Sequence, residues 1–265
     1  GETEHGSSLR GERWIIFGSH ARLQDSITSL GAEVEVTNHI VDTRDDWFAH
    51  ASRYRRHLRN VESGDTIVLA ECLQCFESKT EGEAKAVAAA TYLAAGLLLS
   101  LVRAINAANV TNLRVIVLTC NAFVASDEAE IDDIRDGRVS HASLIAMMRV
   151  MRREHAGIDF ATLDIPRDGE RTVRANVLKF AIQRITDNES VFAERELIVR
   201  DACVSTPRLR RTSLFNASRI GCTFASDASC VIIGGLGALG TMHLNFLAKT
   251  FNIRRFVLVG RSIRE

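Results

Sequence analysis

Ser229-Cys-Val-Ile-Ile-Gly-Gly-Leu-Gly-Ala-Leu-Gly240 is the stretch that decides the fold. A helical run to Thr250 follows it, then Arg255-Phe-Val-Leu-Val-Gly-Arg-Ser262. Cys230 to Ile233 is short, apolar and β-branched, which predicts a parallel strand buried on both faces. Gly234, Gly237 and Gly240 then recur at a spacing of three. The first suits a tight turn, the second lets backbone approach a pyrophosphate, and the third lets the helix pack close to the strand. The helix that follows offers unpaired N–H groups and a positive dipole end to phosphates. Phe256 to Val259 predicts the next strand. An NAD site would carry an acidic residue after it, to hold the ribose 2′-hydroxyl. Here Arg261 stands there, which suits a 2′-phosphate. The candidate cofactor-binding set is therefore Gly234, Gly235, Gly237, Gly240 and Arg261, with NADPH as the cofactor. The other reading of these glycines is a turn with a structural purpose only.

The bulk composition is that of an ordinary globular chain: 46% hydrophobic and 25% charged over 265 residues. Formal net charge is zero, so there is no electrostatic case for nucleic acid or an anionic membrane as the main partner. Residues 1–11 are polar and read as a linker, with no signal-peptide pattern. Ala86 to Val102 is uncharged but Ala-rich and a little short for a span, so a buried helix between a sheet and a neighbouring domain is expected. The six cysteines are scattered, which points to a reduced, cytoplasmic protein.

Outward from the glycine motif, the chain alternates strand and helix. Strands are predicted at Arg13–Phe17, Glu33–Val36, Asp65–Ala70, Leu113–Thr119, Asp159–Ile165 and Val191–Arg200. Helices are predicted at His20–Leu30, Asp45–Val61, Glu81–Ala108, Ser140–His155 and Arg171–Thr186. This rhythm predicts a doubly wound, mostly parallel, Rossmann-like α/β sheet over residues 12–211. A Ser/Ala/Asn-rich linker follows at 212–228, and 229–265 opens a second unit. The exit of the first unit's first strand, Phe17-Gly18-Ser19-His20, has one glycine where a phosphate loop needs several, so no dinucleotide is expected there.

The run VIIGGLGALG…FVLVGRS resembles the opening of the ketoreductase domain of polyketide and fatty acid synthases, in the short-chain dehydrogenase/reductase superfamily. Ile233 stands where that family usually has Thr. Upstream, Leu113-Arg-Val-Ile-Val-Leu-Thr-Cys-Asn-Ala122, Ser143 to Asp164, and Glu194 to Asp201 followed by Pro207-Arg-Leu209 are similar to segments of the family's non-catalytic structural subdomain. The resemblance implies that 12–211 is that subdomain and 229–265 the start of the catalytic one. It implies NADPH, an acyl carrier protein and neighbouring synthase domains as partners, and a β-ketoacyl thioester as substrate. The competing class is a non-catalytic scaffold domain of a megasynthase, and a third reading is a free-standing NADP-binding module. The family's catalytic Tyr follows the glycine motif. Tyr54 and Tyr92 both precede it, and neither has Lys or Asn four residues on. No catalytic residue and no turnover are therefore expected within these residues.

Three further motifs are weighed against chemistry. Cys72-Leu-Gln-Cys75 lacks a second ligand pair and is flanked by Glu71 and Glu77, so packing cysteines are expected rather than a metal or redox site. Arg53-Tyr-Arg-Arg-His-Leu-Arg59 is expected to be a solvated helix face or a surface docking a neighbouring domain. His243, on the helix after the glycine turn, is expected at the surface or in packing.

Overall fold

The computed structural model describes residues 8–37, 47–74, 83–123, 138–166, 173–187, 194–200, 202–209, 211, 224–225 and 227–260. They fall into two compact units, Gly1–Arg208 and Leu209–Glu265.

The strands of the first unit are β1 (Arg13–Phe17), β2 (Glu33–Thr37), β3 (Thr66–Leu69), β4 (Leu113–Cys120), β5 (Ile158–Ile165), β6 (Glu196–Arg200) and β7 (Cys203–Ser205). They form one sheet in the order β2-β1-β3-β4-β5-β6-β7. Every pairing is parallel except the last. After β1 the chain builds to one side as β2, then returns past β1 to lay down β3. The topological switch point therefore lies at the carboxyl end of β1.

Helices α1 (Ala21–Ser29), α2 (Trp47–His57), α3 (Glu83–Ala108), α4 (Arg138–Glu154) and α5 (Ala175–Thr186) cover both faces of this sheet. Ile15, Phe17, Val115 and Val117 pack with α2, α3 and α4. Trp14, Ile16, Ile116 and Leu118 pack with α1 and α5. Side chains alternate across a strand, and in the middle of the sheet both faces are dry, so β1, β3 and β4 read as largely continuous apolar runs. Helix α3 is long and apolar enough to cross a membrane by composition. Its Leu93, Leu97, Leu98 and Leu101 lie instead in the core beside the sheet, flanked by α2 and α4.

Three elements differ from the sequence expectation. Of the strand expected over Val191–Arg200, Val191 to Ala193 lie outside the described residues; within them the strand runs Glu196–Arg200, and its first four residues are all buried. Its charge is absorbed from the side: Arg149 of α4 donates Nε and Nη2 to the Glu196 carboxylate at 2.8 and 2.7 Å, and Arg152 donates at 2.9 Å. The antiparallel β7 that closes the sheet edge was not expected, because its three residues are too few to show a period. The helix expected from Asp45 begins, within the described residues, at Trp47 and passes at Leu58–Asn60 into a 3₁₀ turn. Asp45 and Asp46 lie outside the described residues.

The second unit is β8 (Ser229–Ile233), α6 (Ala238–Phe251) and β9 (Arg255–Val259). β8 and β9 pair in parallel from Ser229↔Arg255 to Ile233↔Val259. The expected strand, glycine turn, helix and strand are all present. Burial of β8 on both faces is not: Val231 and Ile233 are exposed and no residue of α6 is buried. The one helix and two strands described there can cover only one face of each other.

Candidate nucleotide-binding turn

β8 ends in a turn that reverses the chain into α6. Gly234 takes φ +77°, a left-handed conformation that a residue with a Cβ disfavours. Its N–H donates to Val259 O at 2.7 Å, tying the turn to the end of β9. The Gly235 N–H donates to Ile232 O, and that of Gly237 to Gly234 O. Gly237 is the N-cap of α6, makes no side-chain capping bond, and no acidic residue occupies the first turn. The first-turn N–H groups of a helix have no partner within it, so this end of α6 presents donors and a positive dipole.

The glycines have distinct reasons to be glycine. A Cβ on Gly240 would lie 2.5 Å from Gly234 O and 2.5 Å from Gly235 Cα, both backbone. The first turn of α6 thus rests directly on the loop. A Cβ on Gly235 would lie 2.8 Å from Leu258 Cδ2 and 3.0 Å from Ile232 O, so this glycine lets the turn sit on β9. Gly237 differs. Its φ of −84° suits any residue, and a Cβ there would meet only Gly234 O, at an ordinary 3.4 Å. Among the described residues nothing requires its missing side chain. The open approach to its backbone is what a pyrophosphate needs, so the turn fits a dinucleotide. The structure thus brings Gly234, Gly235, Gly237 and Gly240 into one turn. Arg261 lies outside the described residues.

The other residues singled out fall as follows. Cys72 is buried, with Sγ 3.9 Å from Ala94 O, while Cys75 lies outside the described residues. Among the described residues no group of His, Cys, Asp and Glu could hold a metal. His243 is exposed, its Nδ1 2.8 Å from Leu239 O. Arg55, Arg56 and Arg59 are exposed, as a solvated face requires, but Arg53 and Tyr54 of the same run turn inward to Glu71. A polar cleft of about 650 Å³ lies at the amino-terminal ends of β4 and β5, where Arg114 and Arg195 both pair with Asp159. Doubly wound sheets bind ligands at their carboxyl ends, which is the opposite edge.

At the carboxyl edge of the first unit, Gly18 takes φ +103°, and a Cβ on it would lie 2.7 Å from Glu71 N and 2.9 Å from Ala70 C. The β1 exit lies flat against the β3 exit.

No protein-family model matches the chain. Over 118 residues, 44% of its length, it is 31% identical to the PKS-NRPS hybrid synthetase acdB of Aspergillus candidus, of which the match covers 4%. Among solved structures it is similar to the first ketoreductase of the tylosin PKS, with a TM-score of 0.62 and 17% identity over 93% of this chain and 48% of that one. It is equally similar to a C2-type ketoreductase from a modular polyketide synthase, with a TM-score of 0.62 and 18% identity over 93% and 50%. The chain thus spans about half the length of the solved ketoreductases it matches. Its fold is that of the ketoreductases of modular polyketide synthases, and it has a sequence relative among the PKS-NRPS hybrid synthetases.

Proposed function

We propose that this chain supplies the structural subdomain and the first nucleotide-binding motif of an NADPH-dependent β-ketoreductase in a cytoplasmic polyketide-type synthase. Its substrate is a β-ketoacyl thioester carried on acyl carrier protein, reduced to the β-hydroxyacyl form, and its neighbours are other synthase domains. The observation that carries the reading is Gly237, a glycine that no contact among the described residues requires, at the head of a helix without a side-chain cap. Bound NADPH supplies the hydride. The residues of this chain do the holding. The first-turn N–H groups of α6 would hold the pyrophosphate, Gly237 would leave it room, and Arg261 would pair with the 2′-phosphate. Neither tyrosine serves as proton donor: Tyr54 is buried and bonded to Glu71, and Tyr92 is exposed on α3.

The test is titration of NADPH and NADH into a longer chain in which the second sheet is complete. A charge-assisted hydrogen bond contributes about 1.5–3 kcal/mol, roughly ten- to a hundredfold in affinity. NADPH should bind tighter by that factor, and Arg261→Ala should narrow the gap without unfolding the protein. Equal affinities in the unsubstituted chain overturn the assignment.

A further inference from the structure

The switch point of the first unit holds a group that the proposed reduction does not use. The Glu71 side chain, directly after β3 and Ala70, is fully buried. Tyr54 Oη donates to its Oε2 at 2.6 Å, and Arg53 Nη2 donates to the same oxygen. The Arg53 guanidinium also lies over the Tyr54 ring, 4.8 Å from its centroid. Tyr54 in turn stands edge-on to Phe17, the last residue of β1, with centroids 4.8 Å apart. Both donors come from adjacent positions of α2, the helix that carries the chain back across β1 to β3. Their fork converges on the place where a doubly wound sheet of this strand order seats its ligand. Backbone pairing divides there: Ala70 N–H donates to Phe17 O on one side, and Gly18 N–H donates to Thr37 O on the other.

We infer that the switch-point crevice of the first unit is a carboxylate-binding site that the chain fills with its own Glu71, an internal ligand presented to Arg53 and Tyr54. A guanidinium and a phenol aimed at one oxygen form a recognition site for a carboxylate. The Gly18 contact seals the backbone side. The vestigial turn is thus an occupied site, not an empty one.

Glu71→Ala removes a fragment the size of acetate, so acetate is the probe. The experiment follows thermal unfolding of the full chain as wild type, Glu71→Ala, and Glu71→Ala with Arg53→Met, in acetate and in chloride at matched ionic strength. Ligand binding to the folded state should raise the Tm of Glu71→Ala saturably, by roughly 2–5 °C beyond any change in chloride. Wild type, its site filled, and the double variant, its guanidinium gone, should show no such excess. An acetate effect no larger in Glu71→Ala than in wild type, or one that survives Arg53→Met, overturns the inference. Should Glu71→Ala fail to fold in chloride, refolding yield is read instead. Recovery in acetate supports the internal-ligand site, and failure at every acetate concentration refutes it.

Discussion

Single atoms decide what the two glycine-bearing turns can do. At Gly237 a methyl group meets nothing but an ordinary contact, whereas at Gly240 it meets backbone at 2.5 Å. Gly237→Ala should therefore leave the thermal melt of the longer chain within about 0.5 kcal/mol of wild type while weakening NADPH binding tenfold or more. Gly240→Ala should cost about 1–3 kcal/mol by overpacking, nucleotide or no nucleotide. A Gly237→Ala protein that binds normally would show that the turn's purpose is structural only. In the first unit, the Tyr54 hydroxyl is wholly buried against Glu71. Burial first, then the adjacent carboxylate and its hydrogen bond, hold the phenol well above its ordinary pKa. Tyr54→Phe leaves a buried carboxylate one donor short and should lower stability by about 1–3 kcal/mol in urea melts. Loss below about 0.5 kcal/mol would mean that Arg53 alone satisfies Glu71.

At the scale of elements, buried polar groups tie helices to strand ends. His141, on α4, accepts from Cys120 N–H through Nδ1 at 2.8 Å, and its Nε2 lies 2.8 Å from Cys72 O. A neutral ring with its proton on Nε2 satisfies both, joining α4 to the exits of β3 and β4. Burial holds its pKa below the usual histidine value. The unfolded chain takes up a proton near pH 6.5 where the folded chain does not, so stability falls as pH drops below about 6.5. One such group contributes a slope of at most about 1.4 kcal/mol per pH unit. Urea midpoints between pH 7 and pH 5 should show a smaller drop for His141→Gln than for wild type; equal drops would assign the titration elsewhere. Asp164 does comparable work on β5. It accepts from Thr119 Oγ1 at 2.6 Å, from the N–H groups of Ala122 and Phe123, and from Arg200 of β6 at 2.6 Å. The loop after β4 is thereby fastened to the two strands beside it.

On the scale of the whole molecule the two units differ in how much core each owns. Among the described residues, the first buries both faces of its sheet under helices α1 to α5. The second leaves Val231, Ile233, Leu239, Met242 and Phe246 exposed, an apolar set of the kind that otherwise marks a contact surface. Residues 1–208 alone should therefore melt cooperatively at close to the midpoint of the 265-residue chain. The full chain should bind a hydrophobic dye such as ANS more strongly than residues 1–208. A non-cooperative melt of residues 1–208, or equal dye binding, would show that the core has been assigned to the wrong unit.

Much of this was legible in the chain itself. Parallel strands buried on both faces must be continuous apolar runs, so RWIIF, TIVL, LRVIVLTC and the helices between them announced the α/β alternation and its two-layered cover. The glycine spacing announced the turn after β8, because close backbone approach is a demand that only glycine meets, and positive φ is one that it meets without strain. What the sequence did not disclose was proximity between distant residues. Arg53 and Tyr54 sit in a run that reads as a basic surface, and Glu71 reads as a flank of two cysteines. Only the return of α2 across β1 sets all three at one strand end. Likewise Glu196 is a buried charge in a strand, tolerable only because α4 brings Arg149 and Arg152 alongside. Local periodicity records which face of an element is dry, since neighbours in the chain share that face. The partners of a buried charge are chosen by the crossing of elements far apart in sequence, and that is decided only when the sheet has formed.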